Sequence, residues 1–284
     1  MKIALAQMSP HLGNIQRNFE LHLQAIEKAR REKAGLLIFP ELSLTGYLLK
    51  DLVETAALDP DKSPMFKEFK ALSRDISLVL GFVEEKSREK GLFYNSAAFL
   101  DKGKVLHIHR KVFLPTSGMF DEGRFFAPGR NFRTFSTPHG KMGLLICRDF
   151  LHYASSYLLF AGGSEIIIVA SAAPGRGLAG KNGFATSRMW ELMGEAISRF
   201  SSAFVIYCNR AGLEDGIVFA GGSFIFNPFG KRLVQAPYFK NDFLVQEVDP
   251  AEIRRARKNW PFKRDDKPEV ILEALKRIVH DYED

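Results

Sequence analysis

The sequence predicts a layered α/β protein with mixed sheets. Short apolar runs that suit buried strands alternate along the chain with stretches whose apolar residues recur at helical spacing. Gly103 and Gly230 each lie between two extended runs, as in hairpins, so antiparallel strand pairs are expected as well. The length of 284 residues and the 46% hydrophobic fraction allow a substantial core. A disordered chain and a fibrous repeat are therefore excluded.

The first 40 residues are expected to form a strand, a helix and a second strand. Residues 2–8 make a short extended run, and Asn14 then precedes a stretch with apolar residues at helical spacing. Gly35 ends that helix. The following run, GLLIFPEL, is apolar up to Pro40 and suits a strand buried on both faces. Glu41 would lie at its carboxyl end.

The remaining elements follow from the same two patterns. Helices are predicted over residues 64–75, 151–162, 185–200 and 268–282. Strands are predicted over residues 76–82, 94–100, 104–109, 140–147, 165–170, 203–207, 217–226 and 243–248. The loop at 174–183 is rich in glycine and long enough to be a functional lid. We expect one domain over residues 1–284, with residues 250–284 as a C-terminal arm that contacts a second subunit.

The composition favours a soluble cytoplasmic protein. Two cysteines cannot form the disulfide framework of a secreted protein, and no run approaches the 18 apolar residues of a membrane helix. The net charge of +7 is modest for this length. Residues 254–264 hold six cations and no acid, which suits a solvated arm or a subunit contact better than a nucleic-acid site. We therefore expect neither membrane nor nucleic acid as a partner.

Three residues that can carry chemistry follow apolar strand patterns. Glu41, Lys111 and Cys147 each come at or just after the end of a predicted strand. A cysteine beside a carboxylate and an ammonium can act as a nucleophile with its own base and its own charge stabiliser. A free thiol and a free glutamate differ by about 4 pKa units, so proton transfer between them is unfavourable in water. We expect burial and the ammonium to reduce that difference, the ammonium by lowering the pKa of the thiol.

These residues lie in segments that resemble the nitrilase superfamily, the carbon–nitrogen hydrolases. The segments are FPELSLTGY, HRKVFLPTSGMFDEGRFF and GLLICRDF, and the likeness continues into CNRAG and FAGGSFIFNPFGK. The resemblance implies a four-layer α-β-β-α sandwich of two mixed sheets that pairs with a second copy. It implies that Cys147 is the nucleophile, Glu41 the general acid/base and Lys111 the oxyanion stabiliser. Glu122 matches a second glutamate of the family, which either holds the lysine or contacts the substrate amide.

The segment around the cysteine departs from the usual family pattern. The family's amidases commonly continue with Tyr, Trp or Glu, whereas this chain has Arg148, and it lacks the Cys-Trp-Glu of true nitrilases. Amide hydrolysis is therefore favoured over nitrile hydrolysis. The Arg148 side chain either enters the pocket and binds a carboxylate or turns away and pairs with an acid. In the mechanism that the resemblance implies, the backbone N–H of Arg148 donates to the oxyanion.

The histidines and glycines near these segments suggest no further chemistry. His107 and His109 alternate along a strand without acids or cysteines at metal-ligand spacing, so we assign no metal. His152 is interpreted as a residue at the start of a helix, and Cys208 as a core residue. No cofactor is expected.

The sequence thus predicts a hydrolase that cleaves a small linear carboxamide or N-carbamoyl amine through a cysteine thioester. The lysine segment is most similar to the glutaminase domain of glutamine-dependent NAD synthetase. No synthetase domain or Ser-Gly-Gly-x-Asp-Ser loop follows, so a free-standing hydrolase is expected. One alternative is a glutaminase subunit that supplies ammonia to a separate synthetase chain. Another is a binding or regulatory protein of the same fold without turnover.

Overall fold

The computed structural model describes residues 1–177 and 184–281. Its strands are β1 (Lys2–Gln7), β2 (Leu36–Ile38), β3 (Ser77–Glu84), β4 (Tyr94–Asp101), β5 (Lys104–Arg110), β6 (Thr134–Thr137), β7 (Gly140–Ile146), β8 (Ile166–Ser171), β9 (Phe204–Asn209), β10 (Ala211–Glu214), β11 (Ile217–Ala220), β12 (Phe224–Phe226), β13 (Arg232–Gln235) and β14 (Asp242–Glu247). Its α-helices are α1 (Ile15–Arg31), α2 (Val53–Ala56), α3 (Pro64–Leu72), α4 (Glu122–Phe125), α5 (Arg148–Leu151), α6 (Tyr153–Ala161), α7 (Ala185–Ser201), α8 (Ala251–Asn259), α9 (Phe262–Asp265) and α10 (Pro268–Asp281).

Two six-stranded mixed sheets form the centre of the fold. The first has the order β14-β1-β2-β3-β4-β5 and the second the order β13-β12-β9-β8-β7-β6. In each sheet three neighbouring strands are parallel, β1 to β3 in one and β7 to β9 in the other, and the outer pairs are antiparallel. The carboxyl ends of β2, β7 and β8 carry the candidate site.

The two sheets pack face to face and helices cover their outer faces. Side chains of β1 alternate, so Ile3 and Leu5 face the core shared with the second sheet, whereas Ala4 and Ala6 pack with the helices. Phe19 of α1 and further apolar residues of α1 and α3 cover the first sheet, and α7 packs against β9 and β12 of the second. The predicted α-β-β-α sandwich of two mixed sheets is confirmed.

Most of the predicted elements form near their expected bounds. The Asn14 side chain accepts a hydrogen bond from the Arg17 N–H and caps α1. The single strand predicted over 217–226 is wrong, because the structure breaks it into β11 and β12. Gly221 and Gly222 both have positive φ there, at 66° and 69°, and turn the chain between the two strands. Of the predicted lid, residues 178–183 lie outside the described residues.

Candidate active site

Glu41 is held rigidly just beyond the carboxyl end of β2. Its Oε1 accepts hydrogen bonds from Asn95 Nδ2 and Lys111 Nζ, each at 2.7 Å, and its Oε2 accepts one from the backbone N–H of Ala172 at 2.7 Å. The turn that carries it packs tightly on β3. A Cβ at Gly81 would lie 2.4 Å from the Pro40 carbonyl oxygen, so only glycine lets the strand approach this turn. The carboxylate is therefore fixed in position and 1% exposed.

Lys111 lies directly after β5 and points its ammonium between two carboxylates. Its Nζ is 2.7 Å from Glu41 Oε1 and 2.6 Å from Glu122 Oε1. The backbone around it is also fixed, since its N–H donates to the Asn95 carbonyl and its carbonyl accepts from the Gly129 N–H. Burial disfavours the ammonium, but the charges of Glu122 and Glu41 outweigh that effect and raise the pKa of Lys111. The side chain is therefore charged at neutral pH.

Glu122 begins α4 and completes the buried charge cluster. The Tyr47 hydroxyl donates to its Oε1 at 2.5 Å, and its Oε2 has no hydrogen-bond partner among the described residues. Burial raises the pKa of Glu122 to about 7, although the Lys111 ammonium lowers it, and the Glu41 carboxylate raises it further. The cluster can therefore change its net charge near neutral pH.

Cys147 follows β7 in a strained conformation. Its φ is +43° with ψ −104°, a region that residues other than glycine rarely adopt, and its N–H donates to the Ala170 carbonyl at 2.9 Å. Burial and the Glu41 carboxylate raise the pKa of the thiol to about 12, although Lys111 lowers it. The ammonium acts in the expected direction, but burial and the glutamate outweigh it, so the pKa of the thiol is raised rather than lowered. The resting cysteine is a neutral thiol.

Asp149 ties the cysteine segment to the lysine segment. Its Oδ1 accepts the backbone N–H groups of Val112 and Phe113 at 3.0 and 2.9 Å, directly after Lys111. Its Oδ2 lies 2.7 Å from His109 Nε2 and accepts the Ile146 N–H at 3.3 Å. This fully buried carboxylate fixes the end of β5 relative to the end of β7. Asp149 therefore helps to set the relative positions of the ammonium and the thiol.

A cavity of about 160 Å³ opens onto the cysteine. Its walls include Cys147, Arg148 and Arg176 together with apolar and small residues, among them Phe120 and Trp190. The Arg148 side chain is exposed, lines this cavity and forms no ion pair within residues 1–177 and 184–281. Its backbone N–H is at the first position of α5, where the helix offers it no partner.

The structure brings the sequence-predicted site residues together. Glu41, Lys111 and Glu122 share hydrogen bonds, their charges act on the Cys147 thiol, and Arg148 follows that cysteine at the cavity wall. Four partners of this cluster were not predicted from the sequence: Tyr47, Asn95, Asp149 and the Ala172 N–H. A polar asparagine within an apolar strand pattern is the signal that could have revealed Asn95.

The other histidines and the second cysteine stay outside the cluster. His152 stacks on Phe113 with ring centroids 3.6 Å apart, and His107 stacks on Phe135. Cys208 is fully buried in the core between the two sheets. Among the residues that the structure describes, no group of three or more His, Cys, Asp or Glu side chains could hold a metal ion. No helix in the described ranges is long and apolar enough to cross a membrane.

The fold and this site define the class of protein. A sequence model described as carbon-nitrogen hydrolase matches residues 2–258, and the chain belongs to that family, the nitrilase superfamily of enzymes. The chain is 35% identical over 281 residues to a glutamine-dependent NAD(+) synthetase of Acinetobacter baylyi, covering 99% of this chain and 50% of the relative. It is 29% identical over 267 residues to an (R)-stereoselective amidase of a Pseudomonas species, covering 93% and 91%. A carbon-nitrogen hydrolase structure from Helicobacter pylori G27 superposes with a TM-score of 0.82 at 25% identity, covering 98% of this chain and 99% of that one.

The two kinds of relative differ in length. The chain spans about half the length of the NAD synthetase that it matches, but nearly the whole of the amidase. Both are similar to this chain across most of its residues. The family and the carbon–nitrogen hydrolase class are therefore shown, and the substrate is a separate question.

Proposed function

We propose that the chain hydrolyses small linear carboxamides or N-carbamoyl amines through a thioester on Cys147. The observation that carries the proposal is the buried cluster in which Lys111 lies between Glu41 and Glu122 and acts on the cysteine thiol. A buried ion pair contributes little net stability, so a functional reason for the cluster is preferred. The cavity beside the thiol supplies room for a small amide.

The proposed reaction begins with attack of the thiol on the amide carbonyl. Glu41 accepts the Cys147 proton as the C–S bond forms, and the Lys111 ammonium and the Arg148 backbone N–H donate to the oxyanion. The oxyanion then collapses to the thioester, while Glu41 gives the proton to the departing nitrogen and the C–N bond breaks. Ammonia or an amine leaves.

Water completes the reaction in the second half. Glu41 accepts a proton from a water molecule, whose oxygen attacks the thioester carbon, and the C–S bond breaks to release the acid and restore the thiol. Across both halves one amide and one water give one acid and one ammonia or amine. Glu122 takes a positioning role, since it holds the Lys111 ammonium at 2.6 Å.

The proposal is tested by measuring ammonia release across a panel of linear amides, with mass spectrometry of the intact protein. Turnover and an acyl adduct on Cys147 are expected with at least one amide, and the mass of the adduct identifies the acyl half. Absence of both across the panel would contradict the proposal. Failure of a substoichiometric electrophile to label Cys147 would favour the binding protein without turnover.

A second candidate is a glutaminase that supplies ammonia to a synthetase. It is favoured by the 35% identity to a glutamine-dependent NAD(+) synthetase over 99% of this chain. Ammonia release from free glutamine that rises when a synthetase chain is added would support it. Equal release of ammonia with and without the synthetase chain would favour the free-standing amidase.

Residues 250–284 are proposed to form a contact arm of a homodimer, within a single hydrolase domain. Tyr153 and Leu158 on α6 are 80% and 49% exposed, and Leu275 on α10 is 52% exposed. Phe160 of the same α6 face is 8% exposed, so it packs within the chain and adds little to a contact. Sedimentation at micromolar concentration tests the dimer. A monomer would contradict it.

A further inference from the structure

Two arginines line the cavity beside the candidate nucleophile. Arg148 and Arg176 both contribute to its wall, and Arg176 lies with its guanidinium carbon 4.9 Å from the Phe120 ring centre. Neither arginine forms an ion pair with a carboxylate in the described part of the chain. Their positive charges are therefore available to a bound molecule.

The described part of the cavity wall carries no negative charge. Its lining residues within the described ranges are these two arginines, Cys147 and uncharged side chains, with no Asp or Glu among them. The two acids whose charges act on the thiol, Glu41 and Glu122, both bind Lys111 and are buried. Among the described residues, the charged side chains that a ligand group in the cavity meets are these two arginines.

Arg176 is also held in place by its own backbone. Its N–H donates to Thr186 Oγ1 at 3.0 Å, and its carbonyl accepts the Thr186 N–H at 3.3 Å. Arg148 begins α5 directly after Cys147 in the sequence. The bases of both side chains therefore stay close to the thiol while the guanidinium groups remain exposed. Guanidinium groups favour carboxylates because they can donate two parallel hydrogen bonds to them.

We propose that the preferred substrate is an amide whose far end carries a carboxylate and no ammonium group. This inference rests on the proposed amide hydrolysis and names its substrate class. Arg148 and Arg176 bind the carboxylate while the amide carbon lies at Cys147. A substrate with a free ammonium at the same end, such as glutamine, would lack a partner for that charge in the cavity wall.

The test compares amides of matched shape and different charge. Glutaramate carries a carboxylate opposite its amide, glutaramide carries a neutral amide there, and 5-aminopentanamide carries an ammonium. The expected order of kcat/KM is glutaramate, then glutaramide, then 5-aminopentanamide, with a preference for glutaramate over glutaramide of about 100-fold. A charged hydrogen bond contributes about tenfold or more, and two arginines are available. Glutaramate should also exceed glutamine.

The carboxylate can belong to the acyl half of the substrate or to the amine that leaves. Comparing glutaramate with N-carbamoyl-β-alanine separates these two cases. N-carbamoyl-β-alanine has nearly the shape of glutaramate, but its carboxylate leaves with the amine. Hydrolysis of glutaramate gives ammonia and glutarate, whereas hydrolysis of N-carbamoyl-β-alanine gives β-alanine and carbamate, which breaks down to carbon dioxide and ammonia. Either product pattern supports the proposal and shows which half the arginines bind.

Two variants and a control connect the preference to the arginines. Arg148→Met and Arg176→Met should each lower the glutaramate-to-glutaramide ratio of kcat/KM by about tenfold or more, mainly through KM for glutaramate. As a control, Arg31→Met removes the same charge at the end of α1. Arg31 precedes the start of β2, whereas Glu41 lies beyond the carboxyl end of that strand. That control should keep the wild-type ratio.

The outcomes separate this inference from the proposed function. Turnover of glutaramide equal to that of glutaramate, or a ratio unchanged in both arginine variants, would overturn the inference and leave amide hydrolysis standing. No ammonia from any of the amides and no acyl adduct on Cys147 would overturn both.

Discussion

Replacing Lys111 by Met tests the central charge of the candidate site. The methionine keeps the apolar stem of the side chain but removes an ammonium that lies 2.7 Å from Glu41 Oε1 and 2.6 Å from Glu122 Oε1. Those two oxygens share one nitrogen partner, so they are at most about 5 Å apart. At an effective dielectric constant of about 20, two unit charges at about 5 Å repel by about 3 kcal/mol, or about 2 pKa units. The variant should therefore bind a proton on this carboxylate pair at neutral pH.

The variant should lose both activity and thiol reactivity. Loss of one oxyanion donor lowers turnover by about 10² or more. Lys111 also lowers the pKa of the Cys147 thiol, so alkylation by iodoacetamide at a fixed alkaline pH should slow in the variant. Lys111→Arg restores the charge and should restore alkylation in part, but little turnover, because the planar guanidinium cannot take the place of the compact ammonium.

Three measurements check this reasoning. Ammonia release gives turnover, mass spectrometry follows alkylation against pH, and thermal unfolding from pH 5 to 8 reports the carboxylate pair. A raised pKa of Glu122 in the folded state means that stability is lost as pH rises, so the Met variant should lose stability over this range more steeply than the wild type. A Met variant that turns over normally and alkylates with the wild-type pH profile would show that Lys111 is structural and the mechanism is wrong.

The remaining predictions concern the cysteines and two acids. Cys147→Ala should abolish turnover and keep the fold, whereas Cys208→Ala should keep most activity; equal loss in both, with unchanged melting, would contradict the assignment of the nucleophile. Burial raises the pKa of Glu122 from 4.5 in the unfolded chain to about 7 in the folded one, so the folded state binds its proton more tightly. This contribution to the free energy of unfolding is fully present below pH 4.5 and is lost as the pH rises to about 7. Glu122→Gln should remove that loss, at most about 1.4 kcal/mol per pH unit, in denaturant titrations. Asp149→Asn should lower kcat more than KM and reduce stability by about 1–3 kcal/mol, because it weakens the bonds that position Lys111; wild-type kcat would refute its positioning role.

The fold could be predicted wherever a pattern is local. The parallel strands are apolar runs ended by polar residues, and helix α1 begins at its predicted capping residue, Asn14. The prediction that Gly35 ends this helix is wrong, because α1 ends at Arg31 and Lys33 takes the left-handed conformation after it. The break between β11 and β12 could not be predicted, because an apolar run with two glycines also fits one continuous strand. The positive φ angles of Gly221 and Gly222 separate the two strands. A side chain at either position would meet Gln7 or Tyr238, which are distant in sequence.

The candidate site could likewise be predicted where its residues belong to local patterns. Glu41, Lys111 and Cys147 each come at or just after a strand end, which is a local pattern. That they meet depends on the packing of the two sheets, since Glu41 and Lys111 follow strands of the first sheet and Cys147 follows a strand of the second. Asp149 was not identified, because its role depends on backbone N–H groups of residues 112 and 113, which any sequence would supply. Contacts of that kind leave no pattern in the residue types.

The charge state of the cysteine shows where the sequence argument was incomplete. The Lys111 ammonium lowers the pKa of the Cys147 thiol, but burial and the Glu41 carboxylate act in the opposite direction and raise it to about 12. The two carboxylates that hold Lys111 at 2.7 and 2.6 Å also disfavour a thiolate and so oppose the effect of the ammonium on Cys147. In the proposed mechanism, a neutral resting thiol therefore requires proton transfer to Glu41 together with attack on a bound amide. The negative charge then appears on the amide oxygen, where the ammonium and the Arg148 N–H can stabilise it, so reactivity depends on a bound substrate.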